Sequence, residues 1–389
     1  MTNQSLPPPT AEAAAQSSRL IALIQDEIRR EQWISFARFM ALALYTPRLG
    51  YYSGGARKFG EHGDFITAPE ISPLFGQALG AQVAQVMQAS AAQVLEVGAG
   101  TGQLAYDLLR TLEDQGALPD SYLILELSGE LRARQQALIE RNLPHLSTRV
   151  RWLDALPERF SGCVLANEVL DVMPVQRVVW RPDGIFERGV ALDAAGEFCW
   201  QDRPASGCLL EAARALPVLA PESGEYRSEI CLAASAWVAE WGKRLEQGAL
   251  LLIDYGYPRD EYYLPSRDSG TLQCYYRHHA HNDLLAWPGL NDITAFVDFT
   301  TLAEAAHNAG LTVAGYTTQA SFLTDCGILD QLRMLGAPDE ATYLRGARAA
   351  LRLLGPHEMG ELFKVLVLSR GLDDLPWLGL RSGNRVFAL

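Results

Sequence analysis

Long apolar runs are missing from this chain of 389 residues. No stretch approaches the roughly 18 residues that a membrane-spanning helix needs, so no membrane partner is expected. Basic residues are also short: 33 Lys and Arg stand against 46 Asp and Glu, a net charge of −13. Nucleic-acid binding needs clustered cations to displace counterions, and it is not expected here. The acidity is compatible with a basic protein substrate. The six cysteines (163, 199, 208, 231, 274 and 326) are scattered, with no C-x-x-C spacing. That argues against a disulfide framework or a closed zinc site and for reduced thiols in the cytoplasm, so no metal is expected. The first 18 residues hold Pro7-Pro8-Pro9 and small polar residues, with Arg19 the first basic one. They lack a signal-type apolar segment and are expected to form a disordered tail. No internal repeats occur.

What is present is organised around Gln93-Val94-Leu95-Glu96-Val97-Gly98-Ala99-Gly100-Thr101-Gly102. A short apolar run meets three alternating glycines, and helical apolar spacing follows in Leu104, Ala105, Leu108 and Leu109. This predicts a buried strand turning tightly into a helix. Glycine permits the unusual dihedrals and leaves no Cβ in the way of a ligand. The start of the helix offers N–H groups to an anionic ligand group. A dinucleotide fingerprint would place its third glycine at position 103, which is Gln103. Glu96 precedes the first glycine by two, where a pyrophosphate-binding loop carries an apolar residue. An acidic group there suits a cationic ligand such as S-adenosylmethionine, whose carboxylate would reach the helix start.

The rest of the chain supplies a doubly wound α/β pattern with ligand-facing residues at the strand tips. A second strand, 122–125, ends in Glu126-Leu127, and a carboxylate there can accept from both ribose hydroxyls. A third, 150–153, ends in Asp154-Ala155, placed for an adenine edge. The fourth, 163–166, ends in Asn167-Glu168-Val169-Leu170-Asp171, beside the switch in strand order where such sheets bind ligands. The spacing of Glu168 and Asp171 predicts one helical turn with both carboxylates on one side. A fifth central strand is read at 248–256, a sixth at 311–316 and a last at 363–370, the last lying antiparallel between the fifth and sixth. Earlier, residues 19–46 carry helical apolar spacing, and Gly63-Asp64-Phe65-Ile66-Thr67 forms a loop in which Asp64 and Thr67 are ligand candidates. Ser72 reads as a helix cap. Between the fourth and fifth strands, 176–180 and 185–190 flank Pro182-Asp183-Gly184 and predict an inserted antiparallel meander. Residues 270–281 read as irregular, and the histidines at 278, 279 and 281 lack companion ligands.

These motifs resemble the MidA-like family of class I S-adenosylmethionine-dependent methyltransferases. The resemblance rests on Gly50-Tyr51-Tyr52, Gly63-Asp64-Phe65-Ile66-Thr67-Ala68-Pro69-Glu70, Glu96-Val97-Gly98-Ala99-Gly100-Thr101-Gly102 and Asn167-Glu168-Val169-Leu170-Asp171-Val172-Met173-Pro174. It continues through Leu252-Ile253-Asp254-Tyr255-Gly256, Gly270-Thr271-Leu272, Asp292-Ile293-Thr294 and Phe363-Lys364-Val365-Leu366. It implies a Rossmann-like class I sheet of seven strands with a reversed last strand, an N-terminal helical segment and an inserted α+β substrate-side subdomain. The expected division is a tail at 1–18, a helical and loop segment covering the cofactor site at 19–89, and a methyltransferase domain at 90–389. Insertions are expected near 175–246, 256–292 and 320–358. The family's eukaryotic members are mitochondrial complex I assembly factors, to which arginine methylation of a protein is attributed. Phe296 stands where many relatives have His, so no role is carried over to that position.

The expected function is therefore S-adenosylmethionine-dependent methylation of arginine in a protein substrate, with a homodimer as one form the chain could take. The cofactor set is Asp64, Thr67, Glu96, Gly98, Gly100, Gly102, Glu126, Leu127, Asp154, Ala155 and Asn167. The catalytic set is Glu168 and Asp171, with Asn167 shaping the methyl-side pocket. Guanidinium has a pKa above roughly 12 and is a poor nucleophile until its charge is localised and a proton leaves. Carboxylates gripping its fork do both. The alternatives are a small-molecule or amine methyltransferase and a non-catalytic assembly factor that binds the cofactor. A nicotinamide oxidoreductase is disfavoured by Gln103 and Glu96.

Overall fold

Short strands rich in Val, Leu and Ile, bounded by Gly and Ser, build the larger sheet. They are β1 (Gln93–Val97), β2 (Ser121–Leu125), β3 (Val150–Leu153), β4 (Phe160–Asn167), β5 (Leu245–Tyr257), β6 (Thr312–Thr318) and β7 (Phe363–Arg370). The computed structural model describes residues 6–53, 67–218, 224–336 and 340–389. Their order across the sheet is β6-β7-β5-β4-β1-β2-β3. The first five run parallel, and β7 is antiparallel to both β5 and β6. This is the class I methyltransferase arrangement, and it puts the switch in strand order between β1 and β4.

The described residues form two compact units. One is drawn from Met1–Phe65, Asp171–Ala234 and Arg259–Val297, the other from Ile66–Leu170, Ser235–Pro258 and Asp298–Leu389. The second holds the large sheet. Its core joins Val94, Leu108, Leu165, Leu251 and Val367, all essentially inaccessible, and each such side chain contributes about 1.5–3 kcal/mol by leaving water. The helix Pro73–Ala89, expected to go with the N-terminal segment, belongs to this unit instead. Gly76 and Gly80 allow it to lie close on the helix Gln103–Asp114. A Cβ on either would fall within 3.0 Å of Asp107 or Thr111.

The other unit carries a sheet ordered Ile34–Ser35, Gly184–Leu192, Gln176–Arg181, Tyr226–Ile230, with Phe198–Pro204 also pairing along Gly184–Leu192. Its core gathers Leu20, Ile24, Phe36, Phe39, Val190, Cys274 and Ile293. Three expectations need correction here. The tail of 1–18 is not disordered throughout, because a helix runs over Ala11–Glu31, capped by the Thr10 hydroxyl. Its alanine-rich start lacks the apolar periodicity used to place helices, yet Ser17 is buried and donates to the Pro288 carbonyl. The helical spacing of 19–46 is broken: Gln32 turns left-handed at φ 65°, Ile34–Ser35 pairs with Val190 and Gly189, and a new helix starts at Phe36. The region 270–281 is ordered, with Gln273–Tyr276 pairing His279–His281 and Asp292–Thr294. Arg277 and His278, both at positive φ, make the tight turn of that hairpin.

Gly162 and Gly248 face each other where β4 meets β5. Gly248 sits at φ 141°, and a Cβ on it would lie well inside 3.0 Å of the Gly162 backbone. Gly248→Ala is expected to cost about 2–4 kcal/mol through strain and overpacking, read as a lower midpoint in urea unfolding.

Candidate active site

Three backbone dihedrals set the geometry at the end of β1. Gly98, Gly100 and Gly102 all lie at positive φ (67°, 55° and 87°), and Gly102 caps the helix Gln103–Asp114. A Cβ at Gly98 would press on Val169 and one at Gly102 on Gln135, each at 3.1 Å. At Gly100 a Cβ would meet nothing within 4 Å, so the middle of the turn opens on free space. Thr101, also in the turn, donates from its hydroxyl to Glu70.

Glu96 is buried in β1, where its carboxylate accepts from the Tyr122 hydroxyl at 2.6 Å. Burial pushes its pKa up to about 7; the Tyr122 hydrogen bond opposes this and Glu126 adds to it. Glu126, at the tip of β2, accepts from the Ser128 N–H at 2.9 Å and from Gln135 at 3.0 Å. Burial raises its pKa as well. Next to it Leu127 is 79% exposed. The Asp154 side chain is open to solvent and pairs with Arg132 at 2.8 Å, beside Ala155.

Gln135 is a residue that sequence reasoning missed. It is fully buried on the helix Gly129–Asn142. Its amide nitrogen donates to the Gly100 carbonyl (2.8 Å) and to Glu126, while its oxygen accepts from the Trp152 indole (2.9 Å). One side chain thus ties the glycine turn to the tips of β2 and β3. The only hint in the sequence is a glutamine on the helix face that also carries Leu131 and Ile139, both buried.

At the tip of β4 the expected helical turn does not form. Glu168 takes φ 55°, a conformation that costs a non-glycine residue free energy and marks functional sites. Residues 168–174 are bends, turns and irregular backbone, with no helix among them. The Asp254 carboxylate accepts from the N–H groups of Val169 (3.2 Å) and Leu170 (2.9 Å). The Glu168 carboxylate accepts from the Ala68 N–H at 3.3 Å and from the Asn167 amide at 3.2 Å. The Asn167 Oδ1 is buried and has no hydrogen-bond partner among the described residues. Thr67 is the N-cap residue of the short helix Ala68–Ile71, but its side chain makes no capping bond. Ser72 does cap, accepting from the Leu74 N–H. Asp64 lies outside the described residues.

Asp171 falls in the other unit and is buried, its carbonyl accepting from the Ala295 N–H at 2.9 Å. Asp292, also buried there, accepts from the Tyr52 hydroxyl at 2.9 Å. Burial, then Asp292, and more weakly Asp171, raise the pKa of both Tyr52 and Tyr275. Tyr45 stacks on Tyr52 at 5.8 Å and donates to the Val172 carbonyl. This unit therefore surrounds two buried aspartates with tyrosines. Asp292 was visible in the sequence as part of a motif, with nothing there to assign it a site.

The donor and acceptor set fits S-adenosylmethionine. The turn is open at Gly100, the buried Asn167 oxygen lacks a donor, and carboxylates stand at the tips of β1 and β2. A family model described as "Putative S-adenosyl-L-methionine-dependent methyltransferase" matches residues 78–317. The chain is 30% identical to the Mus musculus protein arginine methyltransferase NDUFAF7, mitochondrial, over 90% of its own length and 83% of that protein's. It is also 30% identical to the Drosophila melanogaster homologue, over 95% and 91%. A crystal structure from Burkholderia thailandensis bound to S-adenosyl-homocysteine is 46% identical, with a TM-score of 0.94 over 99% of this chain and all of that one. The expected cytoplasmic location does not stand, since these curated relatives are named as mitochondrial.

A folded pKa of about 7 means that Glu96 keeps its proton where the unfolded chain has lost it. Its contribution to stability is present below pH 4.5 and is lost as pH rises to about 7. Glu96→Gln keeps an acceptor for Tyr122 but cannot ionise. Relative to the native chain it should gain up to about 3 kcal/mol between pH 5 and pH 8, measured by urea unfolding across that range.

Proposed function

The chain belongs to this family of S-adenosyl-L-methionine-dependent methyltransferases, and from that premise we propose that it methylates arginine side chains of a protein substrate. The observation that carries the reading is the Glu168 carboxylate at the tip of β4, held at positive φ beside the glycine turn's strand. When bound, the cofactor supplies an electrophilic methyl group on sulfur.

In this reading the glycine turn at Gly98, Gly100 and Gly102 receives the cofactor's amino-acid end, where Glu96 and the Asn167 oxygen accept from its ammonium group. Glu126 accepts from the ribose hydroxyls, Leu127 packs on the nucleoside, and Asp154 with Ala155 borders the base. Thr67, just before the helix Ala68–Ile71, borders the same site. Holding two reacting groups aligned removes several kcal/mol of barrier without any covalent help from the protein.

Glu168 has a different task. A guanidinium group spreads its charge over three nitrogens and holds its protons above a pKa of roughly 12. A carboxylate gripping two of its N–H groups draws the charge to that edge, leaves electron density on the remaining nitrogen and can receive the proton released on methylation. Asp171 remains a second carboxylate candidate for a cationic substrate, buried in its own unit. Relatives named as protein arginine methyltransferases support this choice of substrate. The assembly role that the resemblance implies is read as a consequence of that methylation.

The test uses radiolabelled S-adenosylmethionine and protein extracted from cells lacking this gene, with methyl-arginine recovered after acid hydrolysis. Glu168→Gln is expected to keep its affinity for S-adenosyl-homocysteine within about threefold while label in arginine falls by about 100-fold or more. Undiminished labelling would remove Glu168 from the chemistry.

A further inference from the structure

Asp254 lies in the carboxyl-terminal half of β5, at 0% exposure, and neither the cofactor reading nor the guanidinium reading uses it. A carboxylate placed so deep is costly unless hydrogen bonds compensate it. Its Oδ2 accepts from the N–H groups of Val169 and Leu170, and its Oδ1 from its own neighbour Tyr255 at 2.9 Å. The preceding residue of β5 completes the grip, because the Ile253 carbonyl accepts from the Glu168 N–H at 2.9 Å. Glu168 is therefore held on both sides by consecutive residues of one strand. Ile253 takes the N–H before its left-handed Cα, and Asp254 takes the two N–H groups after it.

From this geometry we infer that Asp254 is the positioning residue for Glu168. Its buried carboxylate supplies the hydrogen bonds that keep residue 168 at positive φ and so aim the Glu168 side chain. The physical need is plain. A glutamate at φ 55° is strained, and left to itself the backbone would relax to negative φ, swinging the side chain away. Burying the clamp in the sheet makes it stiff, and rigid support of a reacting group is where large rate factors arise. A neutral amide at this position is a poor replacement, because its NH₂ group would face one of the backbone donors that the carboxylate accepts.

This role rests on the reading of Glu168 as the guanidinium carboxylate, so the experiment is a double-mutant cycle. Labelling of arginine in the extract assay and binding of S-adenosyl-homocysteine by calorimetry are measured for Asp254→Asn, Glu168→Gln and the double variant. Asp254→Asn is expected to lower the labelling rate by about 10-fold or more, with binding within about threefold of the native chain. In the Glu168→Gln background the same change should lower the rate less than about twofold, since the group being aimed has gone. A merely structural role would lower the rate by the same factor in both backgrounds, and that result, or a full rate in Asp254→Asn, overturns the proposal. Full activity in Glu168→Gln alone overturns the Glu168 reading and this role with it. It differs from an impaired Glu168→Gln beside an unimpaired Asp254→Asn, which overturns the positioning role only. Should Asp254→Asn fail to bind S-adenosyl-homocysteine, Asp254→Glu keeps the charge and displaces the oxygens, and the same non-additivity is required of it.

Discussion

The structure around the candidate site depends on a backbone that turns left-handed three times between β1 and the following helix. Each of Gly98, Gly100 and Gly102 occupies a conformation that side chains disfavour, and two of them are also seated against neighbours, Val169 and Gln135. That seating couples the turn to the tip of β4 on one side and to the helix after β2 on the other. A parallel sheet delivers its strand ends to one edge, so a tight turn there can be braced by residues far apart in the chain. Gln135 is such a brace: both N–H groups of its amide donate and its oxygen accepts.

Carboxylates recur along this edge, and each is handled differently. Glu96 has a single phenol as partner and is pushed toward neutrality by burial. Glu126 has an N–H and an amide. Asp254 is held by backbone N–H groups alone among the bonds described above. In the other unit Glu229 is equally buried and accepts from the Thr271 N–H and hydroxyl, with Arg177 contributing a favourable charge. Gly270 is required beside it, since a Cβ would fall on the Glu229 carboxylate. The Gly270-Thr271 motif, readable in the sequence but without a reason there, is thus explained by a carboxylate more than forty positions earlier.

Much of the large sheet was legible because its strands are continuous apolar runs closed by polar tips. The helix Gln103–Asp114 and the strand Phe363–Arg370 fall where periodicity and β-branched content place them, and the antiparallel last strand lies between the fifth and sixth as expected. The errors have a common cause. The helix over Ala11–Glu31 was set too late because alanine carries little hydrophobic signal. The break at Gln32 was missed because apolar spacing continues across it while the backbone turns left-handed. The strands of 270–281 went unread because the two turn residues, Arg277 and His278, are not the ones that favour positive φ.

By itself the sequence determined the order of strands and helices, the glycine turn, and the acidic or amide group at each strand tip. Those features depend on a residue and its near neighbours. Only the tertiary structure decided which carboxylates are shielded from water, that Asp254 receives the N–H groups after Glu168, and that Gln135 joins the glycine turn to the tips of β2 and β3. Burial and hydrogen-bond partners come from segments tens of residues apart. No local pattern records them until the sheet has brought those segments side by side.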